Sequence, residues 1–153
     1  MKNSIIVALV SLVIMTNARV FMYAHAFLTG AIIFIPTLVI SFLLIIIIFI
    51  GILKRNRLAW QWGRILSIIS AIVLIRAAIV LSKYIGTQPF VLLVVVLVII
   101  QGVSLFIMFF ALGTTDSREY FKVICPECGE RKVKAGDFLF SKVICRKCSK
   151  EWS

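Results

Sequence analysis

The segment from Ala31 to Leu53 most constrains the fold, because it is almost wholly apolar and contains no charged residue. A helix needs about 20 apolar residues to cross the hydrocarbon core of a bilayer, which is about 30 Å thick. An open strand in lipid would leave its backbone unpaired, so this isoleucine-rich segment predicts a transmembrane helix. With 62% hydrophobic residues and a mean hydropathy of +1.12, the chain is predicted to be a multi-pass membrane protein.

Three further segments are candidates for membrane spans. Two of them, 65–82 and 90–112, flank a short turn-like connection and predict an antiparallel hairpin. The N-terminal segment allows two interpretations: a helix over about 4–27 that includes Arg19 and His25, or a cleaved signal peptide over 4–18. A signal peptide needs a more basic start and a better cleavage site, so we expect an all-α bundle with four transmembrane helices in residues 1–113. The expected helices are about 4–27, 31–53, 65–82 and 90–112.

The charges predict the orientation of these helices. All six acidic residues follow position 115, whereas residues 1–113 carry eight basic residues and no acidic one. The connection 54–64 holds four of the eight and the connection 83–89 only one, so the positive-inside rule places 54–64 in the cytoplasm. Four crossings of the cell membrane then place the N- and C-termini in the cytoplasm as well. This distribution differs from the single basic face of a nucleic-acid-binding domain, which argues against nucleic acid as a partner.

The tail carries two Cys-x-x-Cys pairs, in KVICPECG at 122–129 and KVICRKCS at 142–149, with sixteen residues between the pairs. This is the spacing of a four-thiolate zinc site, because two residues between ligands let one tight turn direct both sulfurs at one ion. Gly129 permits the positive φ that such a turn uses. We predict one zinc ion per chain. The predicted ligands are Cys125, Cys128, Cys145 and Cys148.

Residues 119–153, with CPECG and CRKC at this separation, resemble a zinc ribbon. The resemblance implies a small three-stranded β-module held by zinc, used most often to bind protein or nucleic acid and carrying out no chemistry. Ser149 stands where the first knuckle has Gly129, so we expect a less regular second knuckle. Residues 114–118 are the expected linker to the membrane part, which is itself similar to small uncharacterised bacterial four-helix membrane proteins.

About 35 residues bury too little apolar surface to fold alone, so the tail is expected to need its metal. The apolar pattern predicts a small core in this module. Its candidate members are Phe121, Val123, Phe138, Phe140, Val143 and Trp152.

Other interpretations of the cysteines stay open. A mononuclear iron electron carrier of the rubredoxin type uses the same ligands, although CRKCS lacks the proline and glycine expected there. Disulfides, or no metal, are further alternatives. The basic residues around the motif either offset the net −2 charge of zinc with four thiolates or form a surface for phosphate, in nucleic acid or anionic lipid.

Arg76 is a charge within the predicted span 65–82, where an arginine costs about 2.5–3.5 kcal/mol on insertion scales. Its candidate partners are Gln101 at a comparable depth in the next helix, a lipid phosphate, or an acidic residue of another subunit. A small transporter or channel using Arg76 and Gln101 is therefore one alternative function.

The sequence contains no transmembrane Asp or Glu, no H-E-x-x-H and no phosphate loop. We therefore expect neither an enzyme nor a small-molecule substrate. The leading hypothesis is a membrane anchor that presents a cytoplasmic zinc ribbon to a protein partner or a second copy, for example as an accessory subunit of a membrane complex. The alternative from another functional class is a redox protein, the membrane-tethered electron carrier.

Overall fold

The computed structural model describes residues 2–28, 35–86, 90–137 and 139–153. The described chain is mostly helical and ends in a small three-stranded sheet, which confirms the predicted combination of a helical part and a β-module. In chain order its elements are α1 (Asn3–Leu28), α2 (Ile35–Leu53), α3 (Arg57–Ser82), α4 (Val91–Gly113), α5 (Thr115–Tyr120), β1 (Val133–Ala135), β2 (Val143–Cys145) and β3 (Glu151–Trp152).

Within the described residues, three helices are long and apolar enough to cross a membrane: Asn3–Ala24 of α1, all of α3 and all of α4. The helix α2 adds a shorter apolar stretch, Val39–Leu53. These helices fit a membrane protein. Residues 31–34 of the span expected at 31–53 and the side chain of His25 lie outside the described residues.

The third helix begins eight residues before the predicted 65–82, and only residues 54–56 connect it to α2. The Asn56 side chain caps it by accepting hydrogen bonds from the backbone N–H groups of Leu58 (2.8 Å) and Ala59 (3.4 Å). A Cβ on Gly51 would overlap the Cβ of Ala59, so glycine allows the two helices to approach closely at this turn. Residues 57–64 of the expected connection 54–64 are therefore helical, whereas residues 54–56 form the turn.

Helix α4 is the centre of the bundle and packs against both α1 and α3, while α2 packs against α3 and α1. The buried side chains concentrate at one end of these helices, for example Ile5, Ile52, Met108 and Leu112. The outer faces expose large apolar side chains such as Ile47 and Phe110. An apolar outer surface of this kind fits a hydrocarbon environment rather than water.

The N-terminus and the C-terminal module lie at the same end of the bundle. The Lys2 ammonium forms an ion pair with the Glu119 carboxylate. The hydroxyls of Ser4 and Ser117 are 3.2 Å apart. The Tyr120 hydroxyl donates to the Leu53 carbonyl at 3.4 Å, which brings the end of α2 to the same place.

The C-terminal sheet has the strand order β1-β2-β3 with antiparallel pairing throughout. Val133 pairs with Cys145 and Val143 pairs with Trp152. Four of the predicted core residues are buried, Trp152 is partly buried, and Phe138 lies outside the described residues. The buried four are Phe121, Val123, Phe140 and Val143.

Residues 114–118, the expected linker, are largely helical because α5 begins at Thr115. The Thr114 hydroxyl accepts from the Ser117 backbone N–H at 3.3 Å and caps this short helix. The buried Ser117 hydroxyl donates to the Ala111 carbonyl of α4 at 2.6 Å. The connection is therefore a packed corner between α4 and the sheet.

Candidate metal centre and its attachment to the bundle

The four cysteines converge on one point. Their sulfur atoms all lie within 4.8 Å of one another, and all four are free thiols rather than disulfides. The Sγ atoms of Cys125 and Cys148 are 3.5 Å apart, as are those of Cys128 and Cys145. Zinc–sulfur bonds of about 2.3 Å in a tetrahedron place sulfurs about 3.8 Å apart, so this donor set fits one four-coordinate metal ion. The clustering predicted from the spacing is confirmed, while the identity of the metal stays a prediction.

The two Cys-x-x-Cys turns have matching backbone hydrogen bonds. In the first, Gly129 N–H donates to the Cys125 carbonyl at 3.0 Å; in the second, Ser149 N–H donates to the Cys145 carbonyl at 3.1 Å. Gly129 has φ +65° and Ser149 has φ +59°. The second knuckle was expected to be less regular, yet Ser149 adopts the left-handed conformation of Gly129 and completes an equivalent turn.

Backbone N–H groups stabilise one thiolate of the cluster. Those of Cys148 and Lys147 point at the Cys145 sulfur and lower the pKa of that thiol to about 7. The Glu130 N–H acts in the same direction on Cys128, but desolvation and hydrogen bonds to the other three sulfurs outweigh it and raise the pKa of Cys128 to about 12. The neighbouring sulfurs therefore share protons without a metal, and a bound cation would replace those protons.

The cluster lies at the edge of the sheet. Cys125 and Cys145 are buried, whereas Cys128 and Cys148 are exposed. An ion pair between Lys150 Nζ and Glu127 Oε1, 2.8 Å long, links the two knuckles at the surface. A metal held here would be fully ligated by protein and would lie close to solvent on one side.

One arginine attaches the metal module to the bundle. Arg57, at the first position of α3, is only 9% exposed. Its Nε donates to the Phe121 carbonyl at 3.1 Å and its Nη1 donates to the Ser141 carbonyl at 2.6 Å. Because these carbonyls lie on two separate segments of the module, a single guanidinium ties both segments to the helix.

A tryptophan completes the attachment. Trp60 is 7% exposed, and its indole Nε1 donates to the Leu112 carbonyl of α4 at 2.8 Å. Its ring lies 6.2 Å from that of Phe121 and 6.5 Å from that of Phe140, measured between centroids. The apolar core runs without interruption from the bundle into the module. The ribbon is thus docked on the bundle end.

Arg57 and Trp60 were not predicted from the sequence to be attachment residues. In the sequence, Arg57 is one of four basic residues in 54–64, and a tryptophan near a membrane is typical of a headgroup anchor. Trp62, two residues on, is about half exposed and remains compatible with that role. The contacts join residues more than fifty positions apart, which local patterns do not reveal.

The two intramembrane polar candidates occupy different environments. Arg76 is exposed on the outer face of α3. Gln101 is 2% exposed, and its Nε2 donates to the Met22 sulfur at 2.9 Å. The structure thus gives Gln101 a partner other than Arg76, and a pair of Arg76 with Gln101 stays a prediction.

No protein-family model matches this chain, and no curated protein or solved structure matches it significantly.

Proposed function

We propose that this chain is a protein of the cell membrane with four transmembrane helices, which holds a zinc-stabilised ribbon against the cytoplasmic end of its helix bundle. The ribbon binds a protein partner, and the chain acts as a non-catalytic subunit of a membrane complex. The observation that carries the proposal is the four-thiolate cluster on a module docked to apolar helices. A site with four protein ligands has no open position for water or substrate, so its metal is structural.

The positions of the helix ends support four crossings of the membrane. Contacts of Lys2, Ser4, Leu53 and Arg57 with the tail place the start of α1, the end of α2 and the start of α3 at the ribbon end. Since α2 ends there, it must return from the opposite end. Its 19 residues span about 28 Å at the rise of an α-helix, close to the thickness of the hydrocarbon core.

The basic residues support a cytoplasmic position for the ribbon. Lys54, Arg55 and Arg57 all lie at the turn between α2 and α3, which is the end of the bundle that carries the ribbon. Basic residues next to transmembrane helices are retained on the cytoplasmic side. The cytosol also keeps thiols reduced, as a thiolate metal site requires.

The docked position offers a surface for a protein partner. A cleft of about 560 Å³ separates the α2–α3 turn from the ribbon and is lined by Arg55, Lys122 and Leu139, among others. Leu139 is 64% exposed at its edge. An exposed leucine beside two cations suits a peptide segment that carries an apolar anchor next to an acidic residue.

The partner hypothesis is tested by photo-crosslinking from position 139 in native membranes. We expect one crosslinked protein that disappears when Cys145→Ser removes a ligand and persists when Ser149→Ala changes the same knuckle without removing one. Membrane insertion of each variant is the control. Crosslinking that is unchanged in Cys145→Ser would contradict a role for the metal-held ribbon.

One observation favours a second function. Cys128 and Cys148 are exposed, so a metal held here would lie near the surface, where an electron-transfer partner can approach it. An iron ion in place of zinc would make the chain a membrane-tethered electron carrier of the rubredoxin type. Purified protein with one iron per chain and a reversible visible absorbance would establish this alternative.

A further inference from the structure

A second cleft, of about 520 Å³, lies between the ribbon and the sides of α3 and α4. Among the described residues that line it, five side chains are basic and none is acidic, so the cleft carries a net positive charge. The basic residues are Arg64, Arg118, Arg131, Lys134 and Arg146.

Arg64 is partly buried, and its guanidinium lies between two aromatic rings. Its guanidinium carbon lies 5.3 Å from the centroid of the Trp60 ring and 5.2 Å from that of Phe109. Its Nε is buried and has no hydrogen-bond partner among the described residues. A buried N–H without an acceptor loses the hydrogen bond that it would make in water. The Nε atom is enclosed by protein, so an anion in the cleft would bind the terminal Nη groups of the Arg64 guanidinium.

Arg118, the basic neighbour of Arg64 in the cleft, does not neutralise its charge. Arg118 repels Arg64 electrostatically and donates its own hydrogen bonds to the carbonyls of Gly113 (3.4 Å) and Arg131 (3.1 Å). These bonds fix the Arg118 guanidinium beside the cleft. A phosphate accepts several charge-assisted hydrogen bonds at once, so one phosphate between the two arginines would offset part of their repulsion.

The walls of the cleft distinguish a lipid from a soluble anion. Arg64 lies seven residues beyond Arg57, so it is about 10 Å along α3 from the ribbon end. At this depth the cleft is also lined by Ile65, Ile68 and Phe109. A free phosphate makes no favourable contact with apolar side chains, whereas the acyl chains of a phospholipid would pack against them.

We propose that this cleft binds the phosphate of an anionic phospholipid from the cytoplasmic leaflet, with Arg64 and the ribbon arginines around the phosphate and the acyl chains along α3 and α4. This inference rests on the membrane location in the proposed function, but not on the protein partner. Anionic lipids are preferred because the cationic headgroup of a zwitterionic lipid is repelled by the five basic side chains. The lipid would thereby bridge the ribbon and the bundle.

The test is native mass spectrometry of the detergent-purified full chain, titrated with phosphatidylglycerol or with phosphatidylcholine of the same acyl chains. We expect phosphatidylglycerol to bind preferentially. Arg64→Gln and Arg146→Gln should each weaken its binding by about ten-fold or more, as expected for a lost hydrogen bond to a charged group. Lys54→Gln and Lys147→Gln remove one positive charge each from residues outside the cleft and should leave binding unchanged.

Three results would overturn the proposal: equal binding of the two lipids, unchanged phosphatidylglycerol binding in both cleft variants, or Arg64-dependent binding of inorganic phosphate without binding of phosphatidylglycerol. The Arg146 side chain is exposed on the ribbon, so Arg146→Gln tests the site even if Arg64→Gln disturbs the fold. Loss of the protein partner in Cys145→Ser would test the proposed function separately from these lipid measurements.

Discussion

At the scale of single residues, Ser149 shows how the geometry of the Cys-x-x-Cys turn overrides backbone preference. Its φ of +59° matches the +65° of Gly129, although a side chain in the left-handed region meets its own backbone. The Cys-x-x-Cys turn requires this conformation after its second cysteine, so serine adopts it at a cost. The Cys spacing predicted the clustering of the four sulfurs because two residues between sulfurs is a local constraint, independent of the rest of the chain.

We predict that Ser149→Gly stabilises the ribbon by about 1 kcal/mol, because glycine adopts a positive φ without steric cost. The measurement is the rate of metal release to a competing chelator, which should fall. The matched variant is Gly129→Ser, which should raise that rate; a Cβ there would meet no atom within 4 Å, so only backbone strain would change. Equal rates in all three proteins would show that φ at these positions does not limit stability.

The cysteine pKa values give a pH prediction for the metal-free protein. Cys145 has a pKa depressed from 9.0 to about 7, so its contribution to stability is present above pH 9 and is lost as pH falls through 7. Cys128 has a pKa raised from 9.0 to about 12, so its contribution is present below pH 9 and is lost as pH rises through 12. After chelation, the ultraviolet absorbance of thiolates should therefore rise in separated steps.

The earliest step of this titration should disappear in Cys145→Ser, because that thiol loses its proton first. Bound metal should abolish the steps, since coordinated thiolates carry no proton to lose. A single step at an ordinary thiol pKa would mean that the four sulfurs are not clustered without metal.

At the scale of secondary structure elements, the docking of the ribbon depends on the first turns of α3. Asn56 ends the connection to α2 and starts the helix, and Arg57 and Trp60 then face the ribbon. The sequence predicted the helical core of this element correctly from its apolar residues. The sequence did not predict the first turns of α3. Basic and aromatic residues occur both in interfacial loops and in helices that pack against another module, so composition does not distinguish the two.

We predict that Arg57→Leu releases the ribbon from the bundle without removing its metal. The variant leaves the Phe121 and Ser141 carbonyls without their charged donor, which should cost about 3 kcal/mol. Hydrogen exchange of the backbone amides in 114–121 should accelerate, while the metal content stays unchanged.

Arg55→Leu is the matched control for this experiment. Arg55 is exposed and lies 4.8 Å from the centroid of the Tyr120 ring, a contact worth about 0.5–1 kcal/mol at such a site. Its loss should leave the exchange of 114–121 nearly unchanged. Equal acceleration in both variants would show that general loss of positive charge, rather than the two Arg57 bonds, controls docking.

At the scale of the whole molecule, the ribbon, the α2–α3 turn and the N-terminus form one end of the protein. The apolar segments and the Cys pairs predicted both parts because each depends on composition or local spacing. Their attachment depends on pairs such as Lys2 with Glu119 and Arg57 with Ser141, which are distant in sequence and chemically ordinary. Packing creates these pairs, so only the folded chain reveals them.

The metal content of the detergent-purified chain, measured by elemental mass spectrometry together with an absorbance scan, decides between a structural ribbon and an electron carrier. We predict one zinc ion per chain and no visible colour for the wild type, with the zinc lost in Cys145→Ser. Iron with a visible absorbance band would show instead that the chain is an electron carrier. Wild-type protein that contains no metal when it is purified without a chelator would contradict a metal-held ribbon.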